Sequence, residues 1–300
     1  MAINGDGIAP TLAELVALRA TAQRRKPARH GRHSITGPAA STLRGRGMEY
    51  AESREYVPGD DVRHIDWRLT ARSGRTHTKL FQAERERLTL IVADTSPLLY
   101  FGTRIRFKST QAARAGAVAA WSAIRDGDRV AALRGTAAEP PVAPASGTRG
   151  ALRVLDALVR WYERPPVDDQ GLAVALDHAA RLLRPGSRLI VLADPRSVAA
   201  IPQSDWPRWA AHHEISVLML FDALEASPPA SSLPFQTGGH RVELDLADAT
   251  QRQRWQQFFS EPMQAAVRGL PLRGVRAYAL RGDAPSESWL PAGGSTPQVA

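Results

Sequence analysis

Cysteine is absent from the 300 residues, which excludes disulfides, zinc–thiolate centres and cysteine nucleophiles. Long apolar runs are absent too. The longest, LTLIVA at 88–93, LIVLA at 189–193 and ISVLMLF at 215–221, fall well short of the ~20 residues a membrane-spanning helix needs. Residues 1–22 lack the apolar core and cleavage site of a secretory signal, so a soluble cytoplasmic protein is expected. There is no repeat of solenoid period. At 43% hydrophobic and 23% charged residues, the chain can bury one large core, with or without a small appendage.

Acidic residues are outnumbered, 30 against 39 Lys and Arg, for a formal charge of +9. The excess is local. Arg24–Tyr50 holds seven Lys or Arg and one acid, Glu49. Such a segment suits nucleic acid, an acidic partner or an anionic surface, or is a solvated connector. Residues 24–47 are rich in Gly, Ser, Pro and Arg without apolar period, which predicts a loop or mobile arm.

Ahead of the arm, Thr11 and Glu14 have capping-box spacing, with Leu12, Leu15 and Val16 predicted on one helix face. Beyond it, Val57-Pro58-Gly59-Asp60-Asp61 predicts a turn, with an aspartate capping a helix that carries Val62, Ile65 and Leu69. Gly74 would end that helix. From Leu88 onward, buried-type strands alternate with helices. Strands are predicted at 88–93, 129–133, 188–193, 215–221, 240–244 and 275–280, with an antiparallel edge strand near 139–143, where prolines bar a central position. Helices are predicted at 107–124, 148–161, 172–183, 204–212 and 250–267.

The expected fold class is therefore α/β: a doubly wound, mostly parallel sheet with an N-terminal appendage. The expected organisation is a helix at 1–23, a basic arm and subdomain at 24–87, the α/β domain at 88–283, and a fraying tail at 284–300. Three strands end in aspartate, at Asp94, Asp194 and Asp222. Sheets of this kind bind ligands at their carboxyl edge, so the three acids suggest a cation or polar-ligand site, against the plainer reading of helix caps.

The run EYVPGDDVRHIDWRLTARSGRTHTKLFQAERE at 55–86, followed by DTSPLLYFGTRIRFKSTQAA at 94–113, resembles the signature of domain-of-unknown-function family 58. Members of that family resemble von Willebrand factor A domains and commonly accompany MoxR-type AAA+ ATPases. The resemblance implies a metal-ion-dependent adhesion site in which hydroxyls and carboxylates hold magnesium for a partner's carboxylate. Asp94, Ser96 and Asp194 match its ligand positions. Leu98 stands where a second serine belongs and Gln170 near the expected threonine, so the site implied is partial, and magnesium its only candidate cofactor.

Enzyme motifs are scarce. Gly102–Ser109 has P-loop spacing, but Phe107 replaces the second glycine, and Lys108 and Ser109 read better as a helix start. No Gly-x-Ser-x-Gly elbow or His-Glu-x-x-His helix occurs. His64 and Asp66 are too close on a helix for a charge relay. The expected function is a non-enzymatic adaptor working with a MoxR-type ATPase on a client complex through the strand-end face; the alternative is nucleic-acid binding through 24–47. Candidate partner-binding residues are Arg54, Tyr56, Asp60, Asp61, Arg63, Asp66, Trp67, Arg72 and Asp222. Structurally, Tyr56 and Trp67 would anchor the subdomain, and Arg54, Arg63 and Arg72 would pair with Asp60, Asp61 and Asp66.

Overall fold

The computed structural model describes residues 7–24, 48–83, 87–237 and 240–290. The chain divides into a larger unit, built from residues 1–35 and 87–300, and a smaller one, residues 36–86. The larger unit is thus discontinuous in sequence. It opens with α1 (Leu12–Ala17), capped by Thr11, whose Oγ1 accepts from Glu14 N at 3.3 Å, and α2 (Arg19–Gln23). The break at Leu18 turns the apolar stripe. Leu15, Leu18 and Ala22 enter the core, while Leu12 and Val16, expected beside Leu15, are exposed. Trp121 donates its indole N–H to Leu15 O and Arg125 donates to Ala22 O, fixing the pair to the main body.

The smaller unit is an antiparallel pair, β1 (Met48–Glu55) and β2 (His77–Ala83), with α3 (Trp67–Ser73) between them. The Val57–Asp60 turn forms as its sequence dictates, with Gly59 at φ +109°. The single helix expected after it does not. Residues 62–64 make one 3₁₀ turn capped by Asp61, Ile65 is drawn into an extended bridge with Thr78, and Asp66 then starts α3 by accepting from Leu69 N at 3.0 Å. Gly74, at φ +73°, ends α3.

In the larger unit the strands are β3 (Leu88–Ala93), β4 (Arg129–Arg134), β5 (Val142–Ala145), β6 (Arg188–Ala193) and β7 (Glu214–Phe221). Next come β8 (Ser232–Thr237), β9 (His240–Asp245) and β10 (Arg276–Arg281). The main sheet runs β10-β7-β6-β3-β4-β5, parallel throughout except for the antiparallel edge strand β5. Strand order reverses between β3 and β6, the switch point of a doubly wound sheet. Alternate side chains serve opposite faces. Ile91 joins the core under α1, α2, α4 (Lys108–Arg125) and α5 (Gly147–Tyr162). Leu90 and Val92 join the core under α6 (Gly171–Leu182), α7 (Pro195–Ala199) and α8 (Asp205–Ala210). Alanines let α4 lie close to the sheet, and Gly116 faces Leu158 and Leu192 directly.

Three expectations near the C-terminus change. Residues 240–244 do not extend the sheet: β9 pairs with β8 in a separate hairpin, because the unread strand around Pro234 satisfies it locally. The helix expected at 250–267 is α10 (Ala249–Trp255), a π turn at 256–260 and α11 (Glu261–Gly269). The start of the tail is packed rather than frayed: Ser286 Oγ meets Arg114 and Gln111 at 2.8 and 2.9 Å, and Trp289 is buried. Residues 291–300 lie outside the described residues. Among the described residues, no helix is long and apolar enough to cross a membrane.

At the amino ends of the strands Arg87 binds Asp128 and Glu214, each at 3.1 Å, Arg188 joins the same acids, and Thr89 donates to Asp128 at 2.6 Å. This clamp leaves the carboxyl edge as the place to seek a site.

Candidate functional site at the carboxyl edge of the sheet

β3 and β6 are neighbours, so their terminal aspartates meet. Asp94 Oδ1 accepts from Ser96 N and Oδ2 from Asp194 N, both at 3.0 Å, and Ser197 adds a hydrogen bond. Ser96 Oγ accepts from Leu98 N at 3.3 Å, capping the 3₁₀ turn at 97–99. Burial, with Asp194 nearby, pushes the Asp94 carboxyl up to about 6, although its hydrogen bonds pull the other way. Asp194 Oδ1 caps α7 through Arg196 N at 2.9 Å. Asp222 caps α9 (Ala223–Ala226) through Leu224 N and accepts from Thr103 Oγ1 at 2.5 Å. It is buried, so it is not presented to a partner.

Sequence reasoning missed three groups here. Lys108, the first residue of α4, is 1% exposed, and its Nζ donates to Asp194 Oδ2 at 2.7 Å and to Glu225 Oε1 at 2.6 Å. Glu225 closes a capping box with Asp222, whose N–H donates to Oε2 at 2.8 Å; the Asp222-x-x-Glu225 spacing was its signal. Its carbonyl is held by Trp255 and Ser260, at the two ends of the π turn. Burial raises the Glu225 carboxyl above its usual range, against the pull of Lys108. Asp169, beside Gln170, accepts from Thr95 Oγ1 at 2.8 Å, whereas Gln170 is exposed.

A magnesium site needs several oxygens turned toward one point. Asp94 has both oxygens on backbone N–H groups, the Ser96 hydroxyl caps a turn, Leu98 supplies no donor, and Asp194 holds an ammonium. Among the described residues, no group of three His, Cys, Asp or Glu is arranged to hold a metal ion. The donor set does not fit the ion.

With this geometry in view, comparison with known proteins is informative. A family model described as a protein of unknown function, DUF58, matches residues 52–261, well over half of the chain. This chain belongs to the DUF58 family. Uncharacterized proteins of Mycobacterium bovis and Mycobacterium tuberculosis are 31% identical to it over 200 residues. The shared region is 65% of this chain and 62% of each relative, so the chain spans less than two thirds of their length.

The DUF58 match begins inside the smaller unit, where the remaining candidates lie. Arg54 pairs with Asp60 at 2.7 Å and Arg63 with Asp61 at 2.6 Å. The Val57 N–H, with help from Arg54, holds the Asp60 carboxyl below its usual range, and Arg63 does the same for Asp61. Asp66 is instead engaged by Ser53 Oγ at 3.0 Å and Leu69 N, and the pairing expected with Arg72 is not among its contacts. Tyr56 is half-buried, but Trp67 is 70% exposed, so it does not anchor the unit. Val62 and Val57 are exposed as well, as are Arg63, Arg68 and Arg72. Apart from Arg24, the basic arm at 24–47 lies outside the described residues.

Proposed function

We propose that this DUF58 protein is a non-enzymatic interaction adaptor, von Willebrand factor A-like in its larger unit, that works with a MoxR-type AAA+ ATPase to assemble or activate a client complex. The strand order, with its switch between β3 and β6 and Asp94-x-Ser96 at that point, supports the fold reading. The observation that carries the interaction reading is Trp67, 70% exposed at the start of α3 in a unit rich in exposed arginine. Tryptophan and arginine are enriched at binding hot spots, and Val57 and Val62 of the same unit are exposed with Trp67. The docking surface is therefore the smaller unit, in preference to the strand-end acids, which are buried and occupied.

The test is recovery of the purified MoxR-type ATPase of the same organism by immobilised wild type, Trp67→Ala and Ser96→Ala. Loss of a hot-spot tryptophan weakens binding by roughly thirtyfold or more, while Ser96→Ala retains it. Equal recovery by wild type and Trp67→Ala rejects the surface, and no recovery by wild type rejects the partner.

A second reading, nucleic-acid binding, rests on the excess of six positive charges in Arg24–Tyr50. It requires binding that falls steeply with salt and is lost when 24–47 are deleted. Unchanged binding by the deleted chain ends it.

A further inference from the structure

The carboxyl edge of the sheet contains a cation of its own. Lys108 reaches it from the first turn of α4, Asp194 from the end of β6, and Glu225 from α9 after β7. All three side chains are at least nine-tenths buried. Two carboxylates buried side by side call for a counter-charge, since desolvation of an unpaired charge is costly. The ammonium contacts both acids at charge-assisted hydrogen-bond length.

We propose that Lys108 is the resident cation of this edge: its tethered ammonium stands where an adhesion-type site would hold a divalent ion, and it closes the cluster to metals. Three further observations agree. Asp94 spends both oxygens on the backbone amides of Ser96 and Asp194 instead of on an ion. Leu98 removes a ligand where a hydroxyl would be needed. Glu225 is fixed at its carboxylate by Asp222 N and at its carbonyl by Trp255 and Ser260, so it cannot swing away to admit a hydrated ion. A magnesium ion would have to enter against a positive charge and displace two short hydrogen bonds. The strand-end architecture is then complete without metal, whichever partner the smaller unit binds.

The test uses the full chain. Calorimetric titration of wild type with magnesium and with manganese at millimolar concentration is expected to show no saturable binding. Saturable binding that Asp194→Asn abolishes overturns the proposal. In parallel, Lys108→Met is expected to lower the melting temperature strongly, and adding Glu225→Gln to recover part of that loss, because the second change removes one of the two carboxylates left without a counter-ion. If Lys108→Met does not fold, regained cooperative unfolding in the double variant supports the counter-ion role. A Lys108→Met variant as stable as wild type, or a double variant no better than the single, overturns it even where wild type ignores metals.

Discussion

Asp94 illustrates how one side chain can be read correctly in place and wrongly in role. Its position at the mouth of β3 follows from an apolar run ending in an acid. Its role depends on which amides lie opposite, which only the β3–β6 pairing decides. Lys108 and Glu225 were hidden for the same reason: each has a sufficient local explanation, a helix start and a capping box, and their meeting 117 residues apart leaves no local trace. Asp94 also carries a pH prediction. A carboxyl raised to about 6 in the folded chain, against 3.8 unperturbed, binds its proton more tightly folded than unfolded. Its contribution to stability is complete below about pH 4 and is lost as pH rises through 6, about 3 kcal/mol in all. Asparagine does not titrate. Urea unfolding of wild type and Asp94→Asn should show the stability advantage of wild type shrinking between pH 4.5 and 7.5; a constant or growing advantage would reject the perturbed carboxyl.

Elements were legible where burial alone defines them. Strands β3 and β6 coincide with the apolar runs at 88–93 and 188–193, because a strand covered on both faces needs no polar alternation. Misreadings fell where neighbours decide: Ile65 leaves the helical path to bridge Thr78, and β9 prefers the adjacent β8 to the main sheet. Helix α4 tests the packing argument. A Cβ on Gly116 would lie 2.8 Å from Leu158 Cδ1 and 2.9 Å from Leu192 Cδ1. Alanine there gains up to about 1 kcal/mol in helix propensity, which small shifts of two leucine methyls would largely offset. Valine adds volume that the sheet cannot yield, so Gly116→Val should cost roughly 1–3 kcal/mol. Thermal denaturation of the two variants would show the ordering, and a valine variant as stable as wild type would mean that α4 rides higher than described.

At the scale of the molecule, the two ends of the main sheet use charge differently. The carboxyl edge holds Asp194 and Glu225 on one ammonium, with Asp94 and Asp222 bound to backbone amides beside them, whereas the amino edge is an arginine–carboxylate clamp that ties β3, β6 and β7 together. Asp128 is central to the clamp and 2% exposed. Asp128→Ala takes the acceptor from Arg87 Nε and the Thr89 hydroxyl and leaves Arg87 with Glu214 alone, a loss of roughly 3 kcal/mol. Chemical denaturation measures it directly, and a loss below about 1 kcal/mol would class the clamp with ordinary surface ion pairs.

The packing of α1 and α2 has a consequence in time. Leu15 finds the Trp121 indole 106 residues further along the chain, and Glu14 finds Arg114 at a separation of 100. At a synthesis rate of ~5–20 residues per second, the first helices wait roughly 5–20 s on the ribosome before their docking surface exists. During that wait Leu15, Leu18 and Ala22 have no core to enter, while the smaller unit, whose strand pairing is local, can already close. The segment that comes first in the chain thus docks only once α4 has been made.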